Sequence, residues 1–285
     1  MRSPQQIPAA LEKSSNMIKY DSFGVLTTKK NLWSPETQKS VCLTAVQVSA
    51  PLAVSILFSD GNDDFLSLRI TEPFSAVSQN FHSPYQLRPN NALMVRTADE
   101  QIRCNTSGAV TATQVPYNGS ADFTNVNNAV GLHNGSVASL ISGLITQTRG
   151  NIILDYSLLP AMYAYLDIER VVLRFYCRLS LTLAVGVSSM ILYWRPNAQA
   201  AWTELEQISL SLIGSLDYLT NPIEKDITDA VLEASAPWEV INNLQTSFVG
   251  SHTGLGLGNT IQLDAVEIEI CATGKNQIVL FGYEA

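Results

Sequence analysis

The stretch VVLRFYCRLSLTL, residues 171–183, alternates apolar and polar side chains along most of its length. Every second residue from Val171 to Leu183 is apolar, whereas the residues between them include Arg174 and Arg178. Successive side chains of a β-strand point to opposite sides of the sheet, so a period of two predicts a long strand with one face on a core. The sequence around this strand must therefore supply a second layer.

Other segments supply the strands of such a layer. The runs VCLTAVQV, LAVSILF and FLSLRI lie before the long strand, and WEVINNLQTSFVG, TIQLDAVEIEI and QIVLFGYEA follow it. No strand–helix–strand alternation is visible, which favours an all-β antiparallel sandwich. One helix is predicted over residues 202–219, because apolar residues recur there at steps of three and four and Thr203 with Glu206 forms a capping-box pattern.

Composition limits the function. Only 15% of the 285 residues are charged, against roughly 25% in an average soluble protein. Charged residues are depleted at the cores of protein interfaces, so a surface that contacts other subunits is one interpretation, and a secreted adhesion or sugar-binding domain is the other. The net charge of −8 argues against a dedicated nucleic-acid-binding protein.

The division of the chain into segments is predicted from changes in composition along the sequence. Residues 1–38 are polar and contain three prolines, which predicts an extended N-terminal arm. Residues 39–285 are predicted to form a single shell domain that carries a long loop at about 98–150. We find no signal peptide, and the most apolar window, residues 179–194, is shorter than the roughly 20 residues of a membrane-spanning helix.

No set of residues predicts an enzyme or a cofactor. His82, His133 and His252 are expected on surface loops, and no nucleophile motif accompanies them. The oxygen ligands Asp60, Asn62 and Asp64 lie two residues apart, as at the start of a calcium loop. The required glycine and glutamate are missing, so a hairpin turn is preferred, with calcium shared across a subunit boundary as the alternative.

The cysteines and the glycosylation sequons add little. Cys42, Cys104, Cys177 and Cys271 are widely spaced, which predicts buried free thiols and a reducing or indifferent compartment. Sequons begin at Asn105, Asn118 and Asn134, but a chain so rich in Asn, Ser and Thr contains about three by chance, so glycosylation stays open.

The segment YAYLDIERVVLRFYCRLSLTLAVGVSSMILYWRPNAQAAW, residues 163–202, resembles the jelly-roll coat proteins of small icosahedral positive-strand RNA viruses, of the plant, insect or picorna-like type. An aromatic Y-x-Y precedes a long alternating strand, a Gly-containing reversal, a second strand and a polar segment. The matching positions are Tyr163, Tyr165, Ile168, Val172, Phe175, Gly186, Tyr193 and Trp202. TIQLDAVEIEI, residues 260–270, is similar to the late strand of those proteins.

This resemblance implies an eight-stranded, two-sheet jelly roll that assembles with copies of itself or with other coat chains, located in the virion and assembled in the host cytoplasm. A host receptor is an implied partner. The strongly basic arm of the plant viruses is missing. Weak contact with genomic RNA is therefore limited to the cations of the first residues, which are Arg2, Lys13, Lys19, Lys29 and Lys30.

A second hypothesis is a jelly-roll protein that binds a receptor or a carbohydrate, as an attachment or lectin-like domain. It would use exposed aromatic residues of the loop-rich region 72–150, namely Tyr85, Tyr117 and Phe123. The alternative interpretation of these three residues is packing within the loop.

Overall fold

The computed structural model describes residues 17–23, 26, 28–72, 75–98, 103–115, 123–142, 148–157, 166–182, 186–254 and 258–285. These residues are mostly β-strand, which confirms the all-β prediction. The chain divides into two compact units. The terminal unit comprises Met1–Arg103, Tyr165–Asp167 and Thr273–Ala285, and the inserted unit comprises Cys104–Ala164 and Ile168–Ala272.

The elements of the described residues are, in chain order, β1 (Met17–Phe23), β2 (Lys30–Trp33), β3 (Val41–Ala50), β4 (Val54–Asp60), β5 (Asp63–Ile70), β6 (Ser75–Gln86), β7 (Leu93–Thr97), β8 (Arg103–Gly108), β9 (Thr111–Gln114), β10 (Ala138–Ile141), β11 (Thr148–Asp155), β12 (Asp167–Leu181), β13 (Val187–Arg195), β14 (Thr203–Leu210), β15 (Gly214–Asp217), β16 (Ile223–Asp226), α1 (Thr228–Leu232), α2 (Pro237–Asn243), β17 (Gln245–Thr253), β18 (Thr260–Thr273) and β19 (Asn276–Glu284). A short 3-10 helix, Val126–Ala129, lies between β9 and β10.

The terminal unit is a jelly roll whose last strand comes from the far end of the chain. Its two sheets have the strand orders β1-β19-β3-β6 and β2-β7-β4-β5, and every pairing is antiparallel. With β19 counted as the eighth strand, these orders are first-eighth-third-sixth and second-seventh-fourth-fifth, the pairing of a jelly roll. Apolar side chains from both sheets, among them Trp33, Val46, Phe58 and Ile278, fill the core.

The inserted unit repeats this topology between β7 and β19. One sheet has the order β10-β18-β12-β15, with β16 also paired to β12 and β8 to β18. The other sheet has the order β14-β13-β17-β11-β9. From β10 to β18, with β15 and β16 together as the sixth strand, the pairing is again that of a jelly roll, and β8 and β9 are additions to it.

The long strand predicted over residues 171–183 is β12. The side chains on its predicted core face from Val171 to Leu181 are at most 1% exposed, and Leu183 lies outside the described residues. They pack against apolar residues of the second sheet, such as Leu192 on β13 and Phe248 on β17. On its other face Arg174 and Arg178 are half-buried, while Val172 is also fully buried.

The predicted division of the chain differs from the observed one. Within the segment 1–38, predicted as an extended arm, the described residues include β1 and β2, which are the first and second strands of the terminal jelly roll. Residues 39–285 do not form one domain, because they contain all of the inserted unit and part of the terminal one. Short strands in a polar segment resemble an irregular arm until their pairing partners, β19 and β7, are known.

The helix predicted over residues 202–219 is wrong, because this segment contains β14 and β15. A register shift between Leu192 and Tyr193 marks a β-bulge in the pairing with β14. The extra residue breaks the two-residue alternation, so that Leu205 and Ile208, three positions apart, both pack on the core. Apolar residues three positions apart are also typical of one face of an α-helix, which is why the sequence predicted a helix. The described helices, α1 and α2, lie further along the chain.

The long loop predicted at about 98–150 is also partly wrong. Its described residues include β8, β9, β10 and the start of β11. Cys104 on β8 forms a disulfide with Cys271 on β18, while Cys42 and Cys177 are buried free thiols. The prediction that all four cysteines are free is therefore wrong, and the predicted reducing compartment loses its basis. Sequence spacing could not reveal that β8 and β18 are neighbours.

Candidate interaction surfaces

The outer face of the sheet β1-β19-β3-β6 carries no charged residue at the twelve positions where all four strands are paired. Directly paired residues share a face, so the registers assign three outward side chains to each strand. They are Ile18, Tyr20 and Ser22 on β1, Gln277, Val279 and Phe281 on β19, Ala45, Gln47 and Ser49 on β3, and Ala76, Ser78 and Asn80 on β6. We call these residues the uncharged face.

Large apolar side chains of the uncharged face are exposed at one edge. Ile18 is 67% exposed and Tyr20 is 63% exposed, and both lie on the edge strand β1. Soluble proteins usually protect edge strands with charges, prolines or covering segments, because free backbone groups pair readily with another chain. The outward positions of β1 carry no such charge.

The equivalent sheet of the inserted unit has the opposite character. Arg174 on β12 donates to Glu224 on β16 at 2.8 Å and to Glu269 on β18 at 3.0 Å. Four residues further along β12, Arg178 donates to Asp217 on β15. These pairs bridge four strands and neutralise the arginines within the sheet. We call this outer surface of β12, β15, β16 and β18 the charged face.

Two buried carboxylates at the charged face hold the loop that precedes β10. The side chain of Asp264 is 0% exposed, and it accepts hydrogen bonds from the Gly135 amide at 2.7 Å and from the His133 ring, whose Nδ1 lies at 2.8 Å. Glu267 accepts from the His133 amide at 2.9 Å. The His133 ring stacks on Tyr176 of β12 at 4.4 Å. A His–Asp pair could act as a general base, but the described contacts bring no nucleophile to it.

The other two histidines differ in their exposure to solvent. His82 is exposed on β6, whereas His252 on β17 is buried, so the surface prediction is wrong for His252. The Nδ1 atom of His252 lies 2.6 Å from the Ser188 hydroxyl on β13. Burial lowers the pKa of His252 below its ordinary value of 6.5, because the charged form would lose its hydration. The imidazole is therefore a neutral core group.

The predicted nucleic-acid-binding cations are each engaged within the terminal unit where the structure describes them. Lys29 forms an ion pair with Asp64 at 3.1 Å, and Lys30 forms one with Asp21 at 2.8 Å. The Lys19 ammonium lies 4.6 Å from the centre of the Trp33 ring. Arg2 and Lys13 lie outside the described residues. RNA contact through these five residues stays a prediction.

The SDGNDD segment forms the predicted hairpin turn between β4 and β5. Its carboxylates are already bound to groups of the same unit. Asp60 accepts from the Arg88 amide at 3.0 Å and from Asn91 at 2.8 Å. Hydrogen bonds from Ser59 and Arg96 hold the pKa of the Asp64 carboxyl well below its usual value. Asn62 contributes its backbone oxygen to Lys29. These partners leave the calcium alternative without free carboxylate ligands of its own.

The aromatic residues proposed for carbohydrate binding are used in packing. Phe123 is 4% exposed and its ring centre lies 5.9 Å from that of Phe248, so the prediction of an exposed aromatic is wrong there. Tyr85 on β6 stacks on Phe65 at 4.1 Å. Tyr117 lies outside the described residues. Packing within the fold therefore accounts for the two that the structure describes.

The sequon residues Asn105 on β8 and Asn134 in the loop held by Asp264 are exposed, while Asn118 lies outside the described residues. Within the described part of the chain, no cluster of three metal-ligating side chains occurs. Nor is any helix among those residues long and apolar enough to cross a membrane.

No protein family model matches the chain, and no curated protein matches it. The solved structures that it resembles include the N-terminal CBM22 tandem domain of Paenibacillus barcinonensis Xyn10C, with 11% identity, 91% of this chain and 92% of that chain covered, and a TM-score of 0.28. They include infectious bursal disease virus Gx strain, with 9% identity, coverage of 96% and 77%, and a TM-score of 0.20. Broad bean stain virus has 8% identity, coverage of 94% and 89%, and a TM-score of 0.17. Scores this low carry no argument about function.

Proposed function

We propose that this chain is a structural subunit of an icosahedral viral shell, in which it assembles with copies of itself or with related coat chains. The observation that supports the proposal best is the uncharged face, whose exposed Ile18 and Tyr20 lie on the edge strand β1. The proposal places the chain in the virion after assembly in the host cytoplasm, with a structural and not a catalytic role.

The chemistry of the uncharged face suits a protein partner. Interface cores are poor in charge and rich in aromatic residues, and buried unpaired charges destabilise them. Four strands about 4.8 Å apart and five residues of about 3.4 Å each give the face an area of roughly 300 Å². A standard interface covers about 800 Å² per partner. The uncharged face would therefore be the centre of a contact that neighbouring loops complete.

The charged face supports the same proposal by contrast. Its arginines are bound to carboxylates of their own sheet, so they neither attract a nucleic acid nor require a partner. Jelly rolls also occur in lectins, and fold alone does not decide between the two functions. The aromatic residues proposed for a lectin-like role are packed where the structure describes them. The shell subunit is therefore the better supported hypothesis.

The test is the assembly state of the purified chain and of a charge variant. We expect particles or discrete oligomers in light scattering and negative-stain images. Gln47 is exposed in the middle of the uncharged face, and Gln47→Lys would leave one unpaired ammonium in each contact. This should weaken each contact by about 3 kcal/mol, roughly a hundredfold in the association constant.

The matched control is Gln207→Lys, at an exposed glutamine on β14 of the inserted unit. Both variants should keep the unfolding midpoint of the parent, which shows that any loss of assembly is not a loss of folding. A parent chain that is monomeric at every concentration and is retained on immobilised glycans would favour the lectin-like alternative. Equal assembly of Gln47→Lys and the parent would exclude the uncharged face as the contact.

A further inference from the structure

The inserted unit contains a pocket of about 470 Å³ that is lined mostly by side-chain amides. It lies at the end of β11, beside the turn after β13 and the connection from α2 to β17. Its volume falls within the roughly 300–1,000 Å³ of small-molecule sites. Five of the nine lining residues are amides, namely Asn197, Gln199, Asn242, Asn243 and Gln245. Such a lining is unusual, because ligand pockets are mostly apolar.

Some of these amides are committed to the protein and others are not. Gln245 accepts from Arg195 at 2.7 Å and donates to Asp155, so both its oxygen and its nitrogen already have a partner in the protein. The Asn197 oxygen accepts the amides of the turn that follows it, at 3.0 Å, which leaves its NH₂ group available. Asn243 donates to the Glu239 carbonyl at 2.8 Å, which leaves its oxygen available.

Gln199 and Asn242 are exposed at the rim of the pocket, and among the described residues neither side chain has a hydrogen-bond partner. Each amide offers a carbonyl acceptor and two N–H donors. The pocket therefore presents donors and acceptors side by side, held by backbone that a β-strand, a turn and a helix end fix in place.

The described lining residues do not favour an anion or a metal ion. Among the described lining residues, the one carboxylate is that of Asp155, which accepts from Gln245 and from the Thr111 hydroxyl at 3.0 Å. No lysine or arginine is among the lining residues that the structure describes. The nearby Arg195 is bound to Gln245, and its guanidinium lies 4.1 Å from the Trp202 ring centre. A phosphate would find no cation, and a metal ion would find no free carboxylate.

Apolar ligands fit no better. The two large apolar residues of the lining, Tyr156 and Leu244, are buried, and the Tyr156 hydroxyl is 2.7 Å from that of Thr246. Ring hydroxyl groups, which both donate and accept, match the available amide groups. We propose that this pocket binds a neutral carbohydrate ring through adjacent hydroxyl groups. This site is independent of the shell contact and differs from the aromatic residues considered from the sequence.

The experiment is saturation-transfer NMR on the full chain with four neutral probes, the methyl glycosides of glucose, galactose, mannose and N-acetylglucosamine. We expect at least one to bind with a dissociation constant of about 1 mM, a typical weak affinity. The double substitution Gln199→Ala/Asn242→Ala should raise that constant about tenfold, since two hydrogen-bonding groups are lost. Gln207→Ala, an exposed amide elsewhere on the same unit, should leave it unchanged.

Four results would overturn the proposal. Saturation transfer to none of the four glycosides is the first, and equal affinity of the double variant and the parent, with both folded by thermal unfolding, is the second. Tighter binding of inorganic phosphate than of any glycoside would mean that the pocket takes anions. Tighter binding of N-acetylglycinamide would mean that its amides recognise a peptide backbone.

Discussion

Two glycines of the inserted unit form a hollow for one aromatic ring, and filling that hollow is the sharpest test of its core. Gly150 on β11 pairs directly with Gly250 on β17. A Cβ atom on Gly150 would lie 2.7 Å from Cδ2 and 2.8 Å from Cε2 of Phe123, whereas a Cβ on Gly250 would come no closer than 3.1 Å. Carbon atoms in contact are normally about 3.5–4.0 Å apart. Gly150→Ala therefore overlaps the ring by almost 1 Å at two atoms.

Phe123 cannot easily move away, because its ring is buried and packs against Phe248. Overpacking of a core destabilises a protein by about 1–3 kcal/mol, whereas replacing a strand glycine with alanine by itself stabilises it by about 0.5–1 kcal/mol. We expect Gly150→Ala to lower the free energy of unfolding by about 1–2 kcal/mol and Gly250→Ala to change it by less. Urea denaturation followed by tryptophan fluorescence measures both values.

A double-mutant cycle separates the steric effect from any other. Phe123→Leu shortens the side chain that the new Cβ would meet, so the pair Phe123→Leu/Gly150→Ala should cost less than the sum of the single changes. Strict additivity would refute the reasoning, and so would a greater loss from Gly250→Ala than from Gly150→Ala. Either result would mean that Phe123 does not occupy the hollow.

Three further predictions concern the disulfide, the buried histidine and the last strand. Cys104→Ser should lower the stability of the inserted unit by up to about 5 kcal/mol, because the bond with Cys271 closes a separation of 167 residues; dithiothreitol should lower the parent's unfolding midpoint and leave that of the variant unchanged. Burial lowers the pKa of His252, so the unfolded chain takes up a proton first as the pH falls. Stability should therefore be complete above about pH 6.5 and fall below it, and His252→Gln should reduce that slope in urea titrations while His82→Gln retains it. Deletion of residues 276–285 removes β19 from between β1 and β3; limited proteolysis should then digest the terminal unit and spare a fragment that begins near residue 104, whereas equal protection of both units would contradict the assignment of β19.

The sequence predicted those features in which a local pattern matched the final environment. The core face of β12 from Val171 to Leu181 could be predicted, because one side of this long strand lies on a core along its whole length. The hairpin turn after β4 could be predicted, because turn-forming residues separate two runs of alternating apolar and polar residues. The all-β class followed from many such segments together.

Features set by distant partners left no local signal. The bulge in β14 placed Leu205 and Ile208 on one face at a helical spacing, so the periodicity itself was misleading. The disulfide depends on β8 lying beside β18, and the uncharged face depends on the registers of four strands drawn from both ends of the chain. The amide pocket likewise combines three segments, of which none is unusual alone.

In the chain, the inserted unit lies between two strands of the terminal unit. Its two ends must therefore be close together, and the disulfide holds them close. The inserted unit interrupts the connection from β7 to β19 of the terminal unit, so its two ends must be close together if that connection is to behave as a short loop. Its first strand, β8, pairs with its last, β18, and the Cα atoms of Cys104 and Cys271 are 4.0 Å apart. Bringing the ends of a flexible segment together costs entropy that grows with its length. A folded insertion with its ends already joined removes most of that cost, which explains how β19 can reach its place between β1 and β3 from so far along the chain.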